Sequence, residues 1–270
     1  MFKQACSMRF DSIYLRFLLA LASIAVATVV IALPIASKSG PQQEWRKIWG
    51  DEFNNARLDS SKWTVYSAGK NHNDELQYYT YDEAWVQDGK LVLRSRQRHF
   101  TGPDGTRAFT SGKVSTARKF SFLYGTVEMR AKLPKGQGIW PAFWMLPAHE
   151  KSWPPEIDIV EMLGHKPNTL YMSNHRGIWP NQAVDMSSHT GPDFSADYHL
   201  YTLEWAPGWL RWKIDGVTRK ETTEGVPDQP MYLILNTAVG GKWPGRPDDK
   251  TRFPQHFYID YIHVHQRING

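Results

Sequence analysis

Turn dipeptides recur along this chain at short intervals, and no other feature narrows its fold so far. Asp88-Gly89, Pro103-Asp104-Gly105, Pro134-Lys135-Gly136 and Asp215-Gly216 supply the residues that tight turns need. Between them lie short runs rich in β-branched and aromatic residues: Lys90 to Arg94, Gly125 to Arg130, Trp209 to Ile214 and Tyr232 to Leu235. Almost no stretch repeats with the 3.6-residue period of a helix. From Trp45 onward this pattern predicts an all-β sandwich or barrel. Trp209 to Lys220 reads as the clearest hairpin, closing on Asp215-Gly216. The 270 residues allow one large domain or two small ones with ample core, and no internal repeat is visible.

One of these runs is chemically distinct. In Glu156-Ile157-Asp158-Ile159-Val160-Glu161, three carboxylates alternate with three β-branched aliphatics, which reads as a strand with one apolar and one acidic face. Glu156 and Asp158 are two apart and share a face. Glu161 breaks that parity, and one extra residue bulged out around Ile159-Val160 would return it to the side of the other two. Two glutamates that lean together within about 5–5.5 Å are the signature of a retaining glycosidase. Crowded carboxylates cannot all ionise, so one pKa rises and that group becomes the acid. From the hexapeptide alone, a solvent-facing acidic strand or a divalent-cation site fits as well. Twelve Trp and 13% aromatic residues lean toward carbohydrate, because flat rings stack on sugars as readily as they fill cores.

Residues 1–36 stand outside the β pattern. Lys3, Arg9 and Arg16 precede an apolar run from Phe17 to Ala36, the arrangement of a secretion signal or an N-terminal membrane anchor. Val30-Ile31-Ala32 is the nearest approach to a cleavage site and Pro34 spoils the next, so cleavage and anchoring both stay open. On either reading the chain beyond residue 37 is exported: secreted, periplasmic or held at the outer face of the membrane. Residues 37–44 read as a polar linker and 45–268 as the catalytic domain. Cys6, the single cysteine, precedes the apolar run, so the domain has no disulfide and no thiol chemistry. Positive and negative charges are mixed along the domain without a Lys/Arg run, which argues against a nucleic-acid partner. His263 and His265 share a strand face but lack a third ligand at fitting spacing, so they read as surface histidines.

Six blocks then occur in a recognisable order: Trp49-Gly50-Asp51-Glu52-Phe53-Asn54, Asp74 to Thr80, Tyr124-Gly125 with Glu128 and Arg130, Gly138 to Leu146, the hexad, and Leu235 to Gly245. From about Trp45 to Gln266 the chain resembles glycoside hydrolase family sixteen, and within it the laminarinase branch, whose hexad carries the extra residue. The resemblance implies a two-sheet β-sandwich of the jelly-roll, concanavalin-like kind with a concave substrate cleft, acting as a monomer on a polysaccharide. It implies Glu156 as nucleophile, Asp158 as the carboxylate that holds and tunes the pair, and Glu161 as general acid/base. Trp140, Trp144, Asn236 and Trp243 are implied to line the cleft. Trp153 is implied to do so too, although two prolines displace it by one position from the usual Trp. Glu128 and Arg130 match polar residues on the donor side, and their alternative is an exposed cross-strand ion pair. His175 is a further cleft candidate near the acid/base. No catalytic cofactor is implied, but a structural calcium is, held by Glu52, the Gly89 carbonyl and Asp260. The implied substrate is β-1,3-glucan or mixed 1,3-1,4-glucan, cleaved internally. A galactan or secreted exopolysaccharide, transglycosylation, and glucan binding without cleavage remain as alternatives.

Overall fold

The computed structural model describes residues 45–149, 153–178 and 180–268. The expected signal or anchor, residues 1–36, and the linker lie outside the described residues. No helix among the described residues is long and apolar enough to cross a membrane. Apart from a short 3-10 turn at Tyr81–Glu83, the regular structure of the described residues is all strand, as the turn pattern predicts, and its two sheets make it the sandwich that the resemblance implies.

The ten-stranded sheet runs β15 (Val217–Thr222), β14 (Trp209–Ile214), β13 (His199–Ala206), β8 (Gly125–Lys132), β17 (Gln255–Arg267), β5 (Lys90–Gly102), β6 (Gly105–Ser111) and β3 (Gln77–Tyr79). In addition, β1 (Trp45–Asp51) pairs with β17 and β4 (Ala84–Gln87) with β5. The seven-stranded sheet runs β12 (Asn181–Thr190), β11 (Thr169–Ile178), β10 (Glu156–Met162), β9 (Ile139–Pro147), β16 (Met231–Val239), β7 (Lys113–Ser115) and β2 (Thr64–Val65). The predicted hairpin is β14 and β15. Asp215 and Gly216 both have positive φ, 49° and 77°, the backbone a two-residue turn needs to match the twist of its strands.

Strict alternation decides what each strand buries. In β8, Val127, Met129 and Ala131 enter the core while Glu128, Arg130 and Lys132 face outward. In β9, Phe143 and Met145 enter it while Trp140 and Trp144 stay half-buried on the outer face. The two inner faces meet in one hydrophobic cluster that includes Ile157, Ile159, Val160 and Met162 of β10 and Leu203, Trp205 and Trp212 of the opposite sheet. Fully burying a side chain of this size contributes about 1.5–3 kcal/mol, so the apolar half of the hexad is held firmly inward. Its acidic half is thereby displayed on the outer face of the seven-stranded sheet.

Candidate active site

The predicted bulge is present. Asp158 pairs with Ser173 and Glu161 with Tyr171 on β11, so three steps along β10 span two on its neighbour; against β9 the shift lies between Asp158 and Val160. Ile159 and Val160 are both buried, two consecutive inward residues that only an irregular strand accommodates. Trp212 anchors the irregularity from the opposite sheet, its Nε1 donating to the Asp158 carbonyl at 2.9 Å. Glu156, Asp158 and Glu161 consequently share the outer face.

Each carboxylate meets different partners. Trp140 Nε1 donates to Glu161 Oε1 at 2.9 Å, and Trp153 Nε1 donates to Glu156 Oε2 at 3.0 Å. The displaced Trp153 therefore still reaches the first glutamate of the hexad. His175, directly across from Glu156, places Nε2 3.1 Å from Asp158 Oδ2 and 3.5 Å from Glu156 Oε1. Ala142, opposite Glu161, leaves room between the two indoles of β9. Trp243 sits edge-on to Trp140, with ring centres 5.3 Å apart, and to Tyr171 at 4.8 Å, closing an aromatic wall around Glu161. The loop carrying Trp243 is pinned at Gly240, whose φ is 70° and where a Cβ would lie 2.5 Å from Leu76 Cδ1.

These surroundings set the proton order. Burial, then the charges of Asp158 and Glu156, push the Glu161 carboxyl well above the usual carboxylate range; only the Trp140 N–H opposes them. Glu156 is also pushed up, by burial and then by Asp158, but His175 and the Trp153 N–H both favour its ionised form. Burial pulls His175 down, yet its hydrogen bond to Asp158 and the charges of Asp158 and Glu156 outweigh this and raise it. Of the two glutamates, Glu156 is thus the one equipped to carry charge and Glu161 the one equipped to keep its proton.

A second polar cluster adjoins this row. Trp144 Nε1 donates to Asn236 Oδ1 at 2.7 Å, and Asn236 Nδ2 donates to the Tyr79 hydroxyl at 3.1 Å. Lys113 Nζ lies over the rings of Tyr66, Tyr79 and Trp144 at 5.1, 5.6 and 5.4 Å. Burial lowers its pKa against the pull of Glu75 and Glu156. Lys113, Tyr79 and Tyr171 were not singled out from the sequence. Tyr171 had a signal, since alternation back from His175 through Ser173 puts it on the same face. Tyr79 lay inside the Asp74 to Thr80 block, but its contact with Asn236 had no local signal, and neither did the position of Lys113 over Trp144.

One expectation is corrected. Glu128 and Arg130 belong to the ten-stranded sheet and face away from the core on its far side, across the sandwich from the carboxylates. There Arg130 pairs with Asp260 at 2.6 Å, the cross-strand ion pair of the alternative, while Glu128 accepts a hydrogen bond from the Tyr261 hydroxyl at 2.9 Å. The carboxylates expected to hold a structural calcium lie beside basic side chains. Glu52 is engaged by Lys47 at 3.0 Å and by His263 at 2.6 Å, and Asp260 by Arg130, so both carboxylates are already compensated by cations. Gly89 is a turn residue with φ 68°. His263, read as a surface histidine, forms an exposed pair with Glu52 at 2.6 Å.

A row of neighbouring carboxylates with indole donors, displayed on the outer face of a two-sheet β-sandwich, defines a glycoside hydrolase of the jelly-roll class. Comparison with known proteins makes this particular: the chain belongs to the glycosyl hydrolases family 16, whose family model matches residues 70–263. It is 34% identical to the β-glucanase of Rhodothermus marinus over 86% of this chain and 89% of that protein. It is 36% identical to glucan endo-1,3-β-glucosidase A1 of Niallia circulans over 81% of this chain, but spans 37% of that protein's length. The laminarinase catalytic domain of Thermotoga maritima MSB8 superimposes with a TM-score of 0.79 at 39% identity, covering 84% of this chain and 100% of that one.

Proposed function

We propose that this protein is a retaining, endo-acting β-glucan hydrolase that cleaves β-1,3 or mixed 1,3-1,4 linkages. The observation that carries the reading is the bulge in β10, which puts Glu156 and Glu161 on one face and hands each a different indole donor. Glu161, kept protonated by burial and by its acidic neighbours, donates its proton to the glycosidic oxygen. The Glu156 carboxylate attacks the anomeric carbon as the bond to that oxygen breaks, giving a glycosyl ester through an oxocarbenium-like transition state. Glu161, now ionised, takes a proton from water; the water oxygen bonds to the anomeric carbon, the ester bond breaks and Glu156 is released with anomeric configuration retained. Asp158, held by His175, keeps the strand's polar face ordered and raises both glutamates. The glucan assignment is supported by the names of the relatives above, and internal cleavage by a site spread across a sheet face. Export through residues 1–36 suits a polymeric substrate outside the cell.

Reducing-sugar release from laminarin and lichenan tests this directly. Glu156→Gln and Glu161→Gln are each expected to lose about two orders of magnitude or more, and NMR of the first product should show the β-anomer. No release by the wild type, and so no difference from Glu156→Gln, would leave a glucan-binding protein, whereas undiminished release by Glu156→Gln would remove it as the nucleophile. Early appearance of the α-anomer would exclude the retaining route, and longer chains formed from a defined oligosaccharide would make it a transglycosylase.

A further inference from the structure

We propose that β12 carries a distal sugar subsite, with Val184 and Met186 as its floor and an uncharged β-linked hexose as its occupant. The assignment rests on the β-glucan reading and extends it to the side of the row beyond His175.

The register on the seven-stranded sheet locates the subsite. Val184 pairs with His175 and Met186 with Ser173, and those residues pair in turn with Glu156 and Asp158. Antiparallel partners project to the same side, so Val184 and Met186 continue the carboxylate row outward by two strands, roughly 10 Å at the usual strand spacing. Their exposures are 48% and 46%, and that of Trp153, whose ring lies 5.4 Å from His175, is 49%. Three of the large apolar side chains that this protein leaves in solvent are therefore gathered beside one catalytic row. The opposite face of β12 is occupied differently: Asp185, on that side, pairs with the buried Lys220 at 2.6 Å. The hairpin is thus fastened by its inner face and presents the outer one.

The chemistry of that outer row selects the ligand. From Gln182 through Val184, Met186 and Ser188 to Thr190 it offers amide, aliphatic, thioether and hydroxyl groups and no cation. A β-linked glucosyl unit carries its hydroxyls around the ring edge and leaves flat C–H faces, which match an aliphatic floor with polar ends. The neighbouring His175 imidazole is already taken by Asp158 and Glu156, so a carboxylated sugar would find no counter-charge in this row.

The test is chain-length dependence of kcat/KM on β-1,3-gluco-oligosaccharides of about three to about seven units, since remote binding energy appears as a gain with length. In the double variant Val184→Ser with Met186→Ser, the shortest cleaved oligosaccharide is expected to react within about twofold of wild type. The longest is expected to lose about tenfold, the consequence of uncovering two apolar side chains. Ile178→Ser, an exposed change elsewhere on the same hairpin, should retain the full length dependence. An unchanged length dependence in an active, folded double variant overturns the subsite and leaves the glucan reading intact. Wild-type inactivity on every length overturns the glucan reading, and the subsite with it.

Discussion

Replacing His175 by Gln probes the electrostatic order of the carboxylates most directly. The imidazole Nε2 lies 3.5 Å from Glu156 Oε1. At that separation a full charge pair is worth roughly 1 kcal/mol in water-like surroundings and roughly 5 kcal/mol at an effective dielectric of about 20. Side-chain exposures of 21% and 17% place the pair between those limits. Asp158, nearer at 3.1 Å, shares the same imidazolium. About 1.5 kcal/mol is left for Glu156, or about one pKa unit. The sign follows from charge: a cation favours the ionised carboxylate, so His175 holds Glu156 down against burial and Asp158, and its loss lets Glu156 rise. The acid limb of the kcat/KM profile reports the nucleophile's ionisation in the free enzyme. It should therefore move toward higher pH by about one unit in His175→Gln, with a smaller change in the plateau. The assay is reducing-sugar release from laminarin across pH, with thermal unfolding run alongside to confirm that the variant is folded. A limb that stays in place or moves to lower pH would refute the charge assignment, because either His175 is then neutral or Glu156 is not the group that must ionise.

Other consequences are open to simpler tests. Glu161 has a folded-state pKa raised above its unfolded value, so its burden on stability is absent in acid, where both states are protonated, and grows as pH rises above the ordinary carboxylate range. Glu161→Gln should accordingly raise Tm more at neutral pH than near pH ~4; an equal or smaller gain at neutral pH would contradict the shift. Glu83 is fully buried and pairs with Arg94 at 2.6 Å and Arg96 at 2.8 Å. Glu83→Gln should cost about 2–4 kcal/mol in urea unfolding, at the lower part of the range for a broken buried pair because the guanidinium groups keep some solvent, while activity per folded molecule is unchanged. Glu128→Gln, on the far side of the sandwich, should leave kcat/KM within about twofold, since it changes only hydrogen bonds from the Tyr261 and Thr202 hydroxyls; a tenfold loss would restore it to the site.

Much of the site was legible because its rule is local. Alternation with period two, broken once, was enough to predict the bulge at Ile159-Val160 and the shared face of Glu156, Asp158 and Glu161. Trp140 and Trp144, four apart on one strand, were placed on a common face by the same rule. His175 follows a readable strand, and parity from it reaches Tyr171. Glu128 and Arg130 show where the rule stops. Their common face was read correctly, but parity does not say which sheet a strand joins, and β8 joined the one across the core.

By itself the sequence determined a β fold, the bulge and the three carboxylates, since turn residues and hydrophobic alternation act over a few residues. Tertiary structure decided the rest: which donor each carboxylate receives, that Lys113 rests on Trp144, that Glu52 and Asp260 are taken up by cations, and that Val184 and Met186 extend the catalytic row. Those relations are set by pairing between strands distant in the chain, and that pairing is chosen by the burial of the whole core.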